Sequence, residues 1–147
     1  MGLDRDRAQR SFDAHQWLAV AVAQHAVGRV RPGGTLIFMG GTGGRSRGPG
    51  LSMIAAATAA MPALIANLAV EVAPIRVNLI AAGFVDTPLS ATLLGDDLDA
   101  RREQLAATLP IRRVVGPEDI AKLAVHLMIN TAVTGATYDI DGGEQLV

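Results

Sequence analysis

Side chains that could move a proton or attack a carbonyl are few in this chain and widely spaced. The candidates are His15, Thr42, Ser52, Asp86 and the single tyrosine, Tyr138. A histidine titrates near neutral pH and could serve as a general base. An unactivated serine or threonine hydroxyl is a poor acid or base. His15, His25 and His126 lack the paired spacing of a zinc site, and the absence of cysteine excludes both thiolate chemistry and a disulfide framework. The loop 40–50 reads GGTGGRSRGPG and carries Arg45 and Arg47. It resembles a phosphate cradle but matches neither G-x-x-x-x-G-K-[ST] nor G-x-G-x-x-G, so it reads as a connection between a strand and a helix. An enzyme built from His15, Thr42 and Asp86 around this loop is one reading, although no spacing singles it out.

The elements that would position these groups alternate. Residues 4–30 read as a helix, with Asp4 and Asp6 near its start and Phe12, Leu18, Ala19, Val22 and Ala26 at near-helical spacing. Pro32-Gly33-Gly34 stops it, and 35–39 (TLIFM) reads as a buried strand. Residues 51–73 predict a helix of small side chains, kinked at Pro62, whose surface admits a second helix at close range. A strand follows at 75–80, then a turn at 81–83 and a longer excursion from Phe84. An amphipathic helix is predicted over 97–109, with Arg101, Arg102 and Glu103 in solvent. Gly116-Pro117-Glu118-Asp119 starts a helix to about Asn130 that buries Ile120, Leu123, Ala124 and Leu127. A last strand is predicted over 137–140. The order α-β-α-β-α-α-β argues for an α/β fold with parallel strands joined by crossovers.

The totals agree with one ordinary domain: 147 residues, half of them apolar and 18% charged, spanning 1–147 as a unit. A net charge of −1 leaves no electrostatic footprint for nucleic acid or an anionic membrane. The charged N-terminus, MGLDRDRAQR, has no apolar segment behind it, which predicts a cytoplasmic protein. The most apolar run, 53–73, is Ala-rich and interrupted by Pro62 and Asn67, as expected of a buried helix and not of a membrane span.

Five stretches in order, GGTLIFMGGTGG, LAVEVAPIRVN, AAGFVDTP, VVGPEDIAKLAVHLM and VTGATYDIDGG, together resemble the C-terminal part of the short-chain dehydrogenase/reductase (SDR) family of NAD(P)-dependent oxidoreductases. GGTLIFMGGTGG resembles the strand that carries the family's catalytic serine, and LAVEVAPIRVN its L-A-x-E-L-A-P-x-x-I-R-V-N. AAGFVDTP resembles P-G-x-V-x-T, with Ala82 in place of the proline. VVGPEDIAKLAVHLM and VTGATYDIDGG resemble the closing motifs. The resemblance implies a Rossmann-like parallel sheet with flanking helices, truncated to about three strands, with the N-terminal βαβ units missing. The family's T-G-x-x-x-G-x-G turn for the pyrophosphate and its NAD- or NADP-selecting residue lie outside this sequence.

The resemblance also implies where family chemistry would sit. The serine position reads Gly41, the tyrosine Ile54, the lysine Thr58 and the asparagine His15. None of the family's catalytic residues is retained. Gly83, the backbone of Val85 and the hydroxyl of Thr87 would contact the nicotinamide of NAD or NADP. Two functions follow as expectations. One is an SDR oxidoreductase by descent, present as a C-terminal fragment without dehydrogenase activity of its own. The other is a non-catalytic binding or assembly module, a homo-oligomer formed through helix 51–73 and the C-terminal strand, with no metal, membrane or nucleic acid. The strand 35–39, unpaired on one side, is an association hazard in either case.

Overall fold

The structure, a computed structural model, describes residues 4–45 and 48–147. Three parallel strands lie in the order β1-β2-β3: β1 (Thr35–Gly41), β2 (Arg76–Ala82) and β3 (Thr137–Ile140). β1 and β2 pair in register from Thr35↔Arg76 to Gly41↔Ala82, and β2 and β3 from Leu79↔Thr137 to Ala82↔Ile140. β2 is the central strand and is buried from Arg76 through Ala81. Its side chains alternate between two faces. Val77 and Leu79 join Met61, Ile65 and Leu68 of α3 (Ser52–Glu71) in the main core. Arg76 and Asn78 face the opposite way, toward α6 (Pro117–Ile129) and the loop after it.

The N-terminal segment is helical from Arg5 to Ala26, as α1 (Arg5–Phe12), a π-helical stretch Asp13–Trp17 and α2 (Leu18–Ala26). It ends earlier than the predicted 30. Gly28, at φ +76°, supplies the left-handed residue that closes a helix, so this glycine stops it before Pro32 can. Ala19, Ala23 and Ala26, at i, i+4 and i+7, turn inward and pack in the same core as α3. α3 thus has a helical neighbour within the chain on its buried side. Gln16 crosses the seam, its Nε2 donating to the Ala57 carbonyl at 2.5 Å.

As predicted, one helix, α3, includes Pro62; the carbonyl that loses its helical donor there is that of Thr58. Three further elements differ from the sequence reading. A helix not anticipated, α4 (Pro88–Leu94), follows Thr87, which caps it by accepting from the Ser90 N–H at 3.3 Å. Thr-Pro with a serine three residues on was the signal. In α5 (Leu98–Thr108), Arg101 and Arg102 are not simply solvated: both are half-buried and ion-paired, to Glu144 and Asp86. In α6 only Leu127 is fully buried, while Ile120, Leu123 and Ala124 are half-buried. By length and hydropathy α3 could also span a bilayer, but it is the crossover helix between β1 and β2 and six of its residues are buried against the fold.

Arg76 is the residue on which the packing of α6 turns. Its guanidinium is 7% exposed, and Nη1 donates to the carbonyls of Leu127 (2.8 Å), Asn130 (3.0 Å) and Val133 (3.3 Å). Nη2 donates to Met128 at 2.9 Å. The Leu127 and Met128 carbonyls, in the last turn of α6, have no helical donor, and a cation there also complements the helix dipole. Asn78, fully buried, extends the clamp: Nδ2 donates to the Val133 carbonyl at 3.1 Å and Oδ1 accepts from the Ala136 N–H at 3.3 Å. Replacing Arg76 by Ala leaves buried carbonyls unpaired, and the expected cost is about 3 kcal/mol or more. Urea denaturation followed by circular dichroism measures it; a loss near zero would show that water replaces the guanidinium without penalty.

Candidate functional site

In open parallel sheets, ligands bind beyond the carboxyl ends of the strands. Here those ends are Gly41, Ala82 and Ile140, and a cavity of about 630 Å³ opens there. Thr42, Arg45, Gly83, Phe84, Arg101 and Glu144 are among its lining residues. Arg45 lies in a short 3-10 turn after β1, so the loop expected over 40–50 begins as ordered structure; Arg47 falls outside the described residues. Arg45 reaches across β2 to β3, with Nη1 2.7 Å from Asp139 Oδ2 and Nη2 3.3 Å from Oδ1. Arg101 donates to Glu144 Oε1 at 2.8 Å and lies over the Phe84 ring, 5.8 Å from its centroid.

A second cavity, about 150 Å³, lies between the end of β1 and α3, with Gly41, Thr42 and Thr58 among its lining residues. The fold thus brings Gly41 and Thr58 together: a Cβ on Gly41 would stand 4.0 Å from Thr58 Cγ2. Thr58 spends its hydroxyl on its own helix, donating toward the carbonyls of Ile54 (2.8 Å) and Ala55 (3.2 Å). Ile54, one turn earlier, is outside the lining of this cavity and exposed. His15 lies within the π-helical stretch, where Nδ1 and the Ser11 carbonyl are 2.7 Å apart. Its neighbour Gln16 is the residue that reaches α3, which nothing in its spacing signalled. Tyr138 sits in β3 beside Ile80.

The segment 83–87 is shaped by its own hydrogen bonds. Val85 bridges Val115, and the Asp86 N–H donates to the Val115 carbonyl at 2.9 Å. The Asp86 carboxylate takes two bonds from Arg102, at 2.8 and 2.9 Å. That contact, followed by the one to Asp99, holds the Arg102 guanidinium above its ordinary pKa. Ser90 Oγ lies 3.0 Å from the Val85 carbonyl and accepts from the Thr87 N–H at 2.8 Å. Gly83 is required by the chain itself, since a Cβ there would lie 2.5 Å from Glu144 Oε2 and 2.6 Å from Asp141 Cβ. Val115 is held in turn by the start of α6. The Asp119 carboxylate accepts from Arg113 at 2.5 and 2.9 Å and from the Gly116 N–H at 3.0 Å. The Arg113 bonds first, and the Gly116 N–H second, pull the Asp119 carboxyl down from 3.8 to about 2. The same contact raises Arg113.

Parallel strands, a crossover helix and a polar cavity at the strand ends define the C-terminal part of a Rossmann-type domain. The chain belongs to the short-chain dehydrogenase/reductase family: a family model described as enoyl-(acyl carrier protein) reductase matches residues 1–145. It is 32% identical over 118 residues to 4-formylbenzenesulfonate dehydrogenase TsaC1/TsaC2 of Comamonas testosteroni, a match covering 77% of this chain and 47% of that protein. It is 37% identical over 117 residues to dehydrogenase/reductase SDR family member 4 of Sus scrofa, covering 77% of this chain and 41% of that protein. A small-chain dehydrogenase solved in complex with NADPH superimposes with a TM-score of 0.90 at 32% identity, covering 99% of this chain and 66% of that one. The chain spans about half the length of the curated relatives it matches.

Family members bind NAD(P). Of the residues that the resemblance aligns with nicotinamide contacts, Val85 and Thr87 both bond to Ser90, and Gly83 faces Glu144 and Asp141. The sequence offers no T-G-x-x-x-G-x-G turn for a pyrophosphate. The Asp119 contacts at the start of α6 set a pH dependence. A depressed folded-state pKa stabilises the fold above the unfolded value of 3.8 and is lost as pH falls through about 2. The Tm gap between wild type and Asp119→Asn should be full at pH 5 and shrink toward pH 2. A gap that stays constant over that range would show that the ionised carboxylate is not what stabilises the turn.

Proposed function

We propose that these 147 residues are the C-terminal part of an NAD(P)-dependent oxidoreductase fold whose proton-transfer groups are gone, and that by themselves they do not carry out hydride transfer. One observation carries the reading. At the strand end, where a substrate oxygen would need a titratable group within hydrogen-bond reach, the chain presents Gly41 and a Thr58 hydroxyl turned into its own helix. Ile54 has no proton to give. Arg45 and Arg101 could hydrogen-bond a substrate oxygen, but a guanidinium keeps its proton well above neutral pH. His15, Thr42 and Asp86 do not form a substitute centre: His15 is bonded within its helix, Asp86 is held by Arg102, and Thr42 alone lines the main cavity. Isothermal titration with NADH and NADPH is expected to show no binding tighter than about 1 mM. Micromolar affinity for either would overturn the reading.

A second reading, an assembly module, draws on exposed apolar groups. β1 is hydrogen-bonded on one side only, and Trp17 and Leu18 are 61% and 59% exposed. The outward side of α3 carries Ala56, Ala59, Ala63, Ala66 and the 78% exposed Val70, at helical spacing. A second copy of the chain, meeting this one through α3 and the C-terminal strand, would cover part of this surface. Light scattering at about 100 µM, a concentration at which even micromolar association is saturated, should then report a dimer or larger species. A monomer at that concentration would remove the assembly reading.

A further inference from the structure

We propose that Gly83, Phe84 and Arg101 form a carboxylate-binding site, and that Glu144 is its internal occupant. The Glu144 carboxylate is held at both oxygens. Oε1 accepts from Arg101 Nη2 at 2.8 Å, and Oε2 accepts from the Phe84 N–H at 3.1 Å. The space it occupies exists because residue 83 has no side chain, a Cβ there falling 2.5 Å from Oε2. A guanidinium, a backbone N–H and a glycine-made recess are the parts from which carboxylate sites are built.

The site is assembled without help from its occupant. Arg101 is steadied by the Phe84 ring and by Gln104 Oε1, which accepts from Nη1 at 3.0 Å. Phe84 belongs to the segment fixed by the Asp86–Arg102 pair. Glu144, by contrast, comes from a single 3-10 turn, Glu144–Leu146, after two glycines with positive φ. That turn is tied to Asp141, which accepts from the Gly143 N–H at 2.9 Å and from Gln145 Nε2 at 2.6 Å. The side chains of Arg101 and Glu144 are 33% and 29% exposed, and both line the 630 Å³ cavity. A partly exposed ion pair holds weakly, so a dissolved carboxylate can take the place of Glu144 at small cost.

The ligand class follows from the cavity. One end of the molecule carries a carboxylate for Arg101 and Phe84; the remainder is short and polar, facing Thr42 and Arg45. A small oxo or hydroxy acid has that form. Its role as a substrate rests on the oxidoreductase reading above, whereas its binding does not. Glu144 competes from within the chain and lowers the apparent affinity of any such ligand.

The test uses acetate, the fragment that Glu144→Ala deletes, and follows the Phe84 amide by NMR without cofactor. Acetate should bind Glu144→Ala at least about tenfold more tightly than wild type and move the Phe84 resonance. Glu144→Gln, which keeps the shape of the turn, should show a smaller gain in the same direction, and serves if the alanine variant does not fold. Adding Arg101→Gln to either variant should abolish the gain. No saturable shift at Phe84 in either variant, or a gain unaffected by Arg101→Gln, would overturn the site. Phosphate binding as tightly as acetate would overturn the carboxylate assignment. Because no cofactor is present, failure here would leave the oxidoreductase reading where it stood.

Discussion

The Arg76 guanidinium is the contact on which the two halves of the sheet's surroundings depend. It enters from the central strand and satisfies carbonyls at the end of α6 and in the loop that leads to β3. A cation this deeply buried would be costly if its donors went unmet. Here the unmet groups are the carbonyls, and cation and helix end resolve each other's deficit. Asn78, two residues on and on the same face, fixes the turn 133–136 from which β3 starts. Val77, between them, donates its N–H to the Thr134 hydroxyl oxygen, and its carbonyl accepts from the Gly135 N–H. β3 thus takes its register from three adjacent residues of β2, and the third strand end of the cavity is placed by them.

Much of the fold was legible because its signals are local. Short apolar runs bounded by turn residues marked the three strands, near-helical spacing marked the main helices, and ordered motifs identified the family. Where the reading strayed, a stronger local signal had been outvoted. Gly28 ended the first helix before the Pro32 stop, and the Thr87–Ser90 pair made a helix out of a presumed excursion. The burial of Arg101 and Arg102 was not legible. A charged residue on an exposed-looking helix face gives no hint of a carboxylate 16 or 43 positions away.

The site divides along the same line. The proximity of Gly41 and Thr58 was implied by motif order and is found in the fold. Glu144 and Gln16 escaped notice because their contacts join distant stretches: 60 positions separate Glu144 from Phe84, and 41 separate Gln16 from Ala57. Neither lies in a motif whose spacing carries chemistry. Gly83 was read as a cofactor contact; within the chain, the close approach it permits is to Glu144 and Asp141. A glycine records that something comes near the backbone without recording what.

This separation explains how a chain can match its family over most of its length through residues that hold the scaffold together. The residues that make it recognisable are those the scaffold cannot lose. In IRVN, Arg76 and Asn78 are clamps; in TGATYDIDGG, Thr134 fixes a strand entry and Asp141 holds the final turn. Each has buried partners that would be left unsatisfied. Gly41, Ile54 and Thr58, which the resemblance aligns with the family's serine, tyrosine and lysine, are not such clamps. Gly41 leaves room beside Thr58, Ile54 reaches solvent, and Thr58 satisfies itself within its helix. Packing therefore accounts for the clamp residues of these motifs without reference to catalysis. A motif match made of clamps is strong evidence of fold and weak evidence of reaction.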